Sequence, residues 1–160
     1  MHRKGLLSLG IVLTLLFIWG NSLLPREVSG ELSDTVMRFM NETAARFGFG
    51  EEVFTVMADT NGDGIEEPTS HLVRKMAHIT EFAVLAALLM LRLPVGKHTD
   101  AAVFLLGTAV GAVDETLQLI SHRGSQLRDV LIDAGGVMLG ILLVHLGRDI
   151  ARRRGHTDDP

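Results

Sequence analysis

Two polar runs separated by a short connector organise the chain: Asp114-Glu115-Thr116-Leu117-Gln118, then residues 119–128, then Asp129-Val130-Leu131-Ile132-Asp133. Apolar sequence flanks this stretch on both sides, at residues 103–113 and 134–146. Carboxylates and an amide therefore stand at the ends of two segments that have the composition of membrane-spanning helices. Because ionisable groups inside a bilayer are costly, they are usually functional.

A second polar run, Arg74-Lys75-Met76-Ala77-His78-Ile79-Thr80-Glu81, opens another apolar segment. Arg74, His78 and Glu81 recur at intervals of four and three residues, so they share one face of a helix. By the same rule, Asp114 and Gln118 share a face. Asp129, Asp133, Gly136 and Gly140 lie on a third face. Gly107-xxx-Gly111 and Gly136-xxx-Gly140 have the small-residue spacing that lets membrane helices approach closely.

The composition indicates one membrane domain over residues 1–160. Hydrophobic residues make up 47% of the chain, aromatic residues only 5%, and the mean hydropathy is +0.29. The net charge of −4 and the lack of a basic face argue against a nucleic-acid binder. The absence of cysteine excludes disulfides and thiolate metal sites.

We predict an all-α fold, a four-helix transmembrane bundle with spans at about 5–21, 71–93, 100–120 and 129–147. An acidic insert, residues 22–70, lies between spans 1 and 2. The first span also resembles a signal peptide, but no small-x-small cleavage site follows it, and Trp19 stands where an interfacial anchor belongs.

Basic residues set the orientation. Four spans place Arg3, Lys4, Arg92, Lys97 and the arginines after residue 147 on one side, and the positive-inside rule assigns that side to the cytoplasm. Both termini are then cytoplasmic, and the insert is extracytoplasmic. The three polar runs, at residues 74–81, 114–118 and 129–133, then meet in the outer half of the membrane.

Two features of the insert have alternative interpretations. Residues 31–47 have the apolar spacing of an amphipathic helix, which lies on the membrane surface, covers the bundle mouth or packs as an ordinary loop helix. Asp59, Asn61 and Asp63 have the spacing that begins a calcium loop, but Ser70 replaces the glutamate at the twelfth position. The same residues are also common in plain turns.

The polar runs supply the candidate site. His78, Glu81, Asp114 and Glu115 are the candidate catalytic groups, since a carboxylate beside a histidine suits proton transfer. The candidate ligand-binding residues are Arg74, Lys75, Gln118, Arg123, Arg128, Asp129 and Asp133. The basic members suit an anionic headgroup or pyrophosphate. Two alternatives remain open. One is a metal site, for zinc or a harder cation, built from His78 and Glu81 with Asp114, Glu115 or Asp133. The other is a set of ion pairs that only fix the packing of the helices.

Taken together, the polar motifs resemble those of the VanZ-like family. They are Lys75-xx-His78-xx-Glu81-Phe82, Asp114-Glu115-xx-Gln118, Arg123, Asp129 and Asp133-xx-Gly136-xxx-Gly140. The resemblance covers about residues 19–146. The acidic insert is not part of the family pattern, and residues 119–122 lack the aromatic residue and glycine that usually precede the arginine.

The resemblance implies a small multi-pass protein of the bacterial cytoplasmic membrane. The named member of the family confers low-level teicoplanin resistance. Two functions follow as expectations: a protein of the outer leaflet that handles envelope lipids or lipid-anchored glycopeptides, or a membrane enzyme acting on a lipid-linked envelope substrate. The expected partner is a membrane lipid or a lipid-linked envelope precursor, and the sequence indicates no particular cofactor. Transport is a weaker third option because the chain has no internal repeat.

Overall fold

A computed structural model describes residues 2–50, 52–59, 67–120 and 127–157 of the chain. Most of these residues are helical: α1 His2–Leu23, α2 Arg26–Arg46, α3 His71–Arg92, α4 Thr99–Ile120 and α5 Leu127–Thr157. The strands β1 Val56–Ala58 and β2 Glu67–Thr69 pair antiparallel. The prediction of a helical protein is confirmed for the described residues. The strand pair was not predicted, because three-residue strands are too short to show an alternating pattern.

Among the described residues, three helices are long and apolar enough to cross a membrane: α1, α4 and the Asp129–Arg154 part of α5. Like α1 and α4, α3 is 22 residues long. It carries Arg74, Lys75 and Glu81 in its first half and is not one of the three. Span 2, at residues 71–93, therefore stays a prediction.

Helix α3 packs against α1, α4 and α5. Its direction relative to α5 follows from two glycines, since Gly136 faces Ile79 and Gly140 faces Ala83, so α3 and α5 run parallel. Helix α4 runs antiparallel to α5, because Gly107 faces Val137 and Gly111 faces Asp133.

The hydrophobic core lies between these helices. Its buried members are Ile18, Phe82, Leu85, Ala86, Met90, Val103 and Val137. Trp19 is partly buried and packs against this core, although the sequence suggested an interfacial anchor. The core separates two polar ends of the helix packing.

One of these ends carries the basic residues. Arg148 donates from Nη2 to the carbonyl oxygen of Met90 over 2.9 Å, and Arg92 donates from Nε to Ser8 Oγ over 3.0 Å. His145 Nε2 lies 3.0 Å from Asp100 Oδ2, and both side chains are exposed. Because this end joins the start of α1 to the ends of α3 and α5, α1 runs antiparallel to both.

Helix α2 begins at Arg26, five residues before the predicted start at Glu31, and ends before Gly48, which has a left-handed φ of 83°. It packs against α3. Apolar side chains at helical spacing are nevertheless exposed along it: Val28, Leu32, Val36 and Phe39. The structure therefore shows the amphipathic helix with much of its apolar stripe on the surface.

Candidate functional site

The second polar end lies where α1 ends, α3 begins, α4 ends and α5 begins. Its buried polar side chains include Ser22, Asp114, Glu115, Gln118 and Asp133, of which Asp114 and Asp133 have no exposed surface. The α4 members lie on one side of that helix, because Gln118 follows Asp114 by four residues and Glu115 by three. We refer to His78, Asp114 and Asp133, which stand on three different helices, as the central cluster.

Asp114 is held by two side chains. Ser22 Oγ donates to its Oδ1 over 2.5 Å, and Gln118 Nε2 donates to its Oδ2 over 2.9 Å. The Gln118 bond joins residues one helical turn apart, as the shared face predicted. Ser22 was missed by the sequence analysis, because a serine near the end of an apolar segment has no distinctive spacing.

Asp133 faces both α3 and α4. Its Oδ1 lies 3.3 Å from His78 Nδ1. A Cβ atom added to Gly111 would lie 3.1 Å from Asp133 Oδ2, so the glycine leaves room for the carboxylate. His78, Asp114 and Asp133 each offer a ligand atom, and these atoms all lie within 4.8 Å of one another.

A groove of about 490 Å³ lies between α1, α2 and α3, beside the central cluster. Its polar wall is formed by Arg74, His78 and Glu81, the three residues predicted to share a helix face. The remaining wall is mostly apolar and comprises Leu16, Phe17, Gly20, Leu24, Leu32, Val36, Val73 and Ala77, with Asn21, Ser29 and Ser33. Leu16, Phe17 and Leu32 are each more than half exposed, so the groove opens to the protein surface. Its volume falls within the range of about 300–1,000 Å³ that is usual for small-molecule sites.

The other candidate residues are placed as follows. Lys75 is exposed, and Asp129 is partly buried in the first turn of α5. Arg128 belongs to α5, but its side chain lies outside the described residues, as does all of Arg123.

Most of the calcium-like loop lies outside the residues that the structure describes. Asp59 follows β1 and is exposed, whereas Asn61 and Asp63 are not among the described residues. Calcium binding by this loop stays a prediction.

The arrangement supports two kinds of chemistry. A histidine beside a carboxylate at the wall of a groove suits acid–base catalysis or metal ligation. A groove with one charged wall suits an amphiphile, because an anionic head would meet Arg74 while an apolar tail meets α1 and α2.

Comparison with known proteins gives one match. The sequence model of a family described as VanZ/LLP1 matches residues 7–148. No curated protein and no solved structure matches the chain significantly.

Proposed function

Since the chain belongs to the VanZ/LLP1 family and has apolar helices that fit a membrane protein, we propose that it binds lipid-linked molecules of the bacterial envelope. The ligand's apolar chain occupies the groove between α1, α2 and α3, and its polar head meets Arg74, His78 and Glu81. By holding such molecules at the outer leaflet, the protein changes the susceptibility of the cell to teicoplanin-type glycopeptides.

The observation that carries this proposal is the division of the groove into an apolar wall and a charged wall. The apolar wall comes from α1 and α2, and it continues onto exposed side chains such as Leu13 and Leu16 of α1. In a bilayer these side chains face acyl chains, so a lipid can enter from the side without crossing water. The charged wall lies on α3, at the level of the central cluster.

The proposed orientation has four spans, cytoplasmic termini and an outer insert. The basic end described above then faces the cytoplasm, as the positive-inside rule requires. Because the chain has no cysteine, Glu52→Cys and Thr157→Cys each provide a single labelling site. An impermeant maleimide is expected to label intact cells only at position 52. Labelling of Thr157→Cys in intact cells, or of neither variant until lysis, contradicts the orientation.

The groove is tested by filling it. A Cβ atom added to Gly20 meets no atom within 4 Å, and Gly20 lines the groove. Gly20→Trp therefore places an indole in the groove with little strain on the bundle. The control is Gly5→Trp, because Gly5 lies on the same helix, has the same free space and does not line the groove.

The probe for this test is a diazirine-bearing phosphatidylglycerol in phosphatidylethanolamine–phosphatidylglycerol vesicles. We expect wild type and Gly5→Trp to be crosslinked on α1 and α3 at the groove, and Gly20→Trp to lose most of that product. A host made less susceptible to teicoplanin by wild-type protein should regain susceptibility with Gly20→Trp. Equal crosslinking of both tryptophan variants at the groove would show that the lipid is elsewhere.

A membrane enzyme acting on the same ligand is the second candidate. It is favoured by one observation: His78 lines the groove while its Nδ1 lies 3.3 Å from Asp133 Oδ1. His78→Gln separates the two functions. In an enzyme this variant still crosslinks lipid but loses the cellular effect entirely, whereas in a binding protein the effect falls in proportion to crosslinking.

A further inference from the structure

The central cluster has a composition that neither a lipid groove nor helix packing requires. One imidazole and two carboxylates come from three helices, and their nearest nitrogen and oxygen atoms all lie within 4.8 Å of one another. Asp114 and Asp133 have no exposed surface. Three ligand atoms from separate elements, converging in a buried place, are the usual framework of a metal centre.

The distance between His78 and Asp133 supports a shared cation. Their Nδ1 and Oδ1 atoms are 3.3 Å apart. This distance exceeds that of a charge-assisted hydrogen bond, which is about 2.7–2.9 Å. Neither Asp133 oxygen makes a hydrogen bond of acceptable geometry within the described residues. Two ligands bound tetrahedrally to one zinc at about 2.0–2.1 Å are themselves about 3.3–3.5 Å apart. The spacing thus matches two ligands of one ion.

The charges of Asp114 and Asp133 also favour a bound cation. Among the side chains that the structure describes, which do not include that of Arg128, no lysine or arginine lies within 4.0 Å of the carboxylate of Asp114 or Asp133. Two carboxylates without exposed surface, in a helix bundle that lies in a membrane, are costly unless a proton or cation compensates them. A divalent cation offsets both charges at once.

The surroundings of Asp114 resemble the outer shell of a metal site. Ser22 and Gln118 each donate a hydrogen bond to it. Each carboxylate oxygen has a second lone pair, so these bonds leave Asp114 able to bind a cation. In metal sites, ligating carboxylates are oriented by hydrogen bonds of this kind.

We infer that His78, Asp114 and Asp133 bind one divalent transition-metal cation, zinc in preference to magnesium or calcium. One imidazole nitrogen with two carboxylate oxygens is a ligand set that zinc accepts, whereas magnesium and calcium prefer oxygen ligands throughout. The fourth position of a tetrahedral ion is open to water or to a ligand group. Metal binding does not require that the groove be occupied.

The test uses the full-length protein, purified in a mild detergent, incubated with zinc and dialysed. Elemental analysis is expected to find close to one zinc per chain, and cobalt in its place should give the visible absorption of a tetrahedral site. Asp133→Asn and His78→Gln each remove one ligand and should abolish both signals. Ser22→Ala retains all three ligands and should weaken zinc affinity by roughly 10–100-fold.

The matched control is Asp100→Asn, which disrupts the histidine–carboxylate pair at the opposite end of the bundle, where both side chains are exposed. Its metal content should equal that of wild type. The folding of each variant is checked by gel filtration. Where a variant fails to fold, the test is instead whether zinc raises the melting temperature of wild type. Wild type that retains no zinc and gains no stability from it overturns the inference, as does an unchanged zinc content in folded Asp133→Asn.

Discussion

Replacing Gly140 by leucine is expected to remove most of the folded protein from the membrane. Even a Cβ atom at this position would press against the carbonyl oxygen of Ala83 and the side chain of Ala86. Because a backbone carbonyl cannot turn aside as a side chain can, α3 and α5 would have to separate. Overpacking usually costs about 1–3 kcal/mol. We expect about 3 kcal/mol here, because the obstacle is a backbone carbonyl and α3 contributes much of the buried core.

The measurement is a melting curve in detergent, with the yield from membranes. For a chain of this size, a loss of about 3 kcal/mol lowers the melting temperature by roughly 6–12 °C. Gly147→Leu is the control: it lies seven residues later on the same face of α5, and a Cβ atom there meets nothing within 4 Å. A melting curve for Gly140→Leu that matches the control would show that this face of α5 does not contact α3.

Asp114→Asn should give the second large effect. Both oxygens of Asp114 accept hydrogen bonds, from Ser22 and from Gln118. An asparagine has only one acceptor oxygen, so its amide group would face one of the two donors. Gln118 can relieve this mismatch only by turning its own amide, which gives up the 3.5 Å contact of its Nε2 with Ser22 Oγ. A buried mismatch of this kind costs about 1–3 kcal/mol, and the change also removes one carboxylate from the central cluster.

The double variant Asp114→Asn/Gln118→Glu separates these two consequences. It exchanges donor and acceptor, since the introduced amide donates to the introduced carboxylate and Ser22 still has an acceptor. We expect the melting temperature of the double variant to lie closer to that of wild type than the melting temperature of Asp114→Asn does. We do not expect the double variant to regain the effect on teicoplanin susceptibility. If Asp114→Asn alone keeps both stability and the cellular effect, the buried hydrogen bonds of Asp114 matter for neither.

The sequence was sufficient to predict the features that depend on spacing along one helix. Asp114 and Gln118 are one turn apart and are joined by a hydrogen bond, and Arg74, His78 and Glu81 line one groove. The length of the apolar segments gave the positions of the helices. These features are local, so periodicity alone reveals them.

Features that depend on contacts between helices could not be predicted in the same way. The glycine spacing indicated close packing, but it did not show that Gly107 faces α5 while Gly140 faces α3. Ser22 joined the site only because the end of α1 lies beside α4. The groove is lined by α1, α2 and α3 together, and no residue spacing encodes how these helices lie beside one another.

The polar first half of α3 has a consequence for biosynthesis. Residues 71–92 are made before Asp114 and Asp133, so α3 leaves the ribosome while the partners of its histidine do not yet exist. A helix with this many charged residues is not retained in a bilayer by its own hydrophobicity. In the proposed four-span arrangement, stable insertion of α3 therefore awaits α4 and α5, which bring Asp114 and Asp133 beside His78.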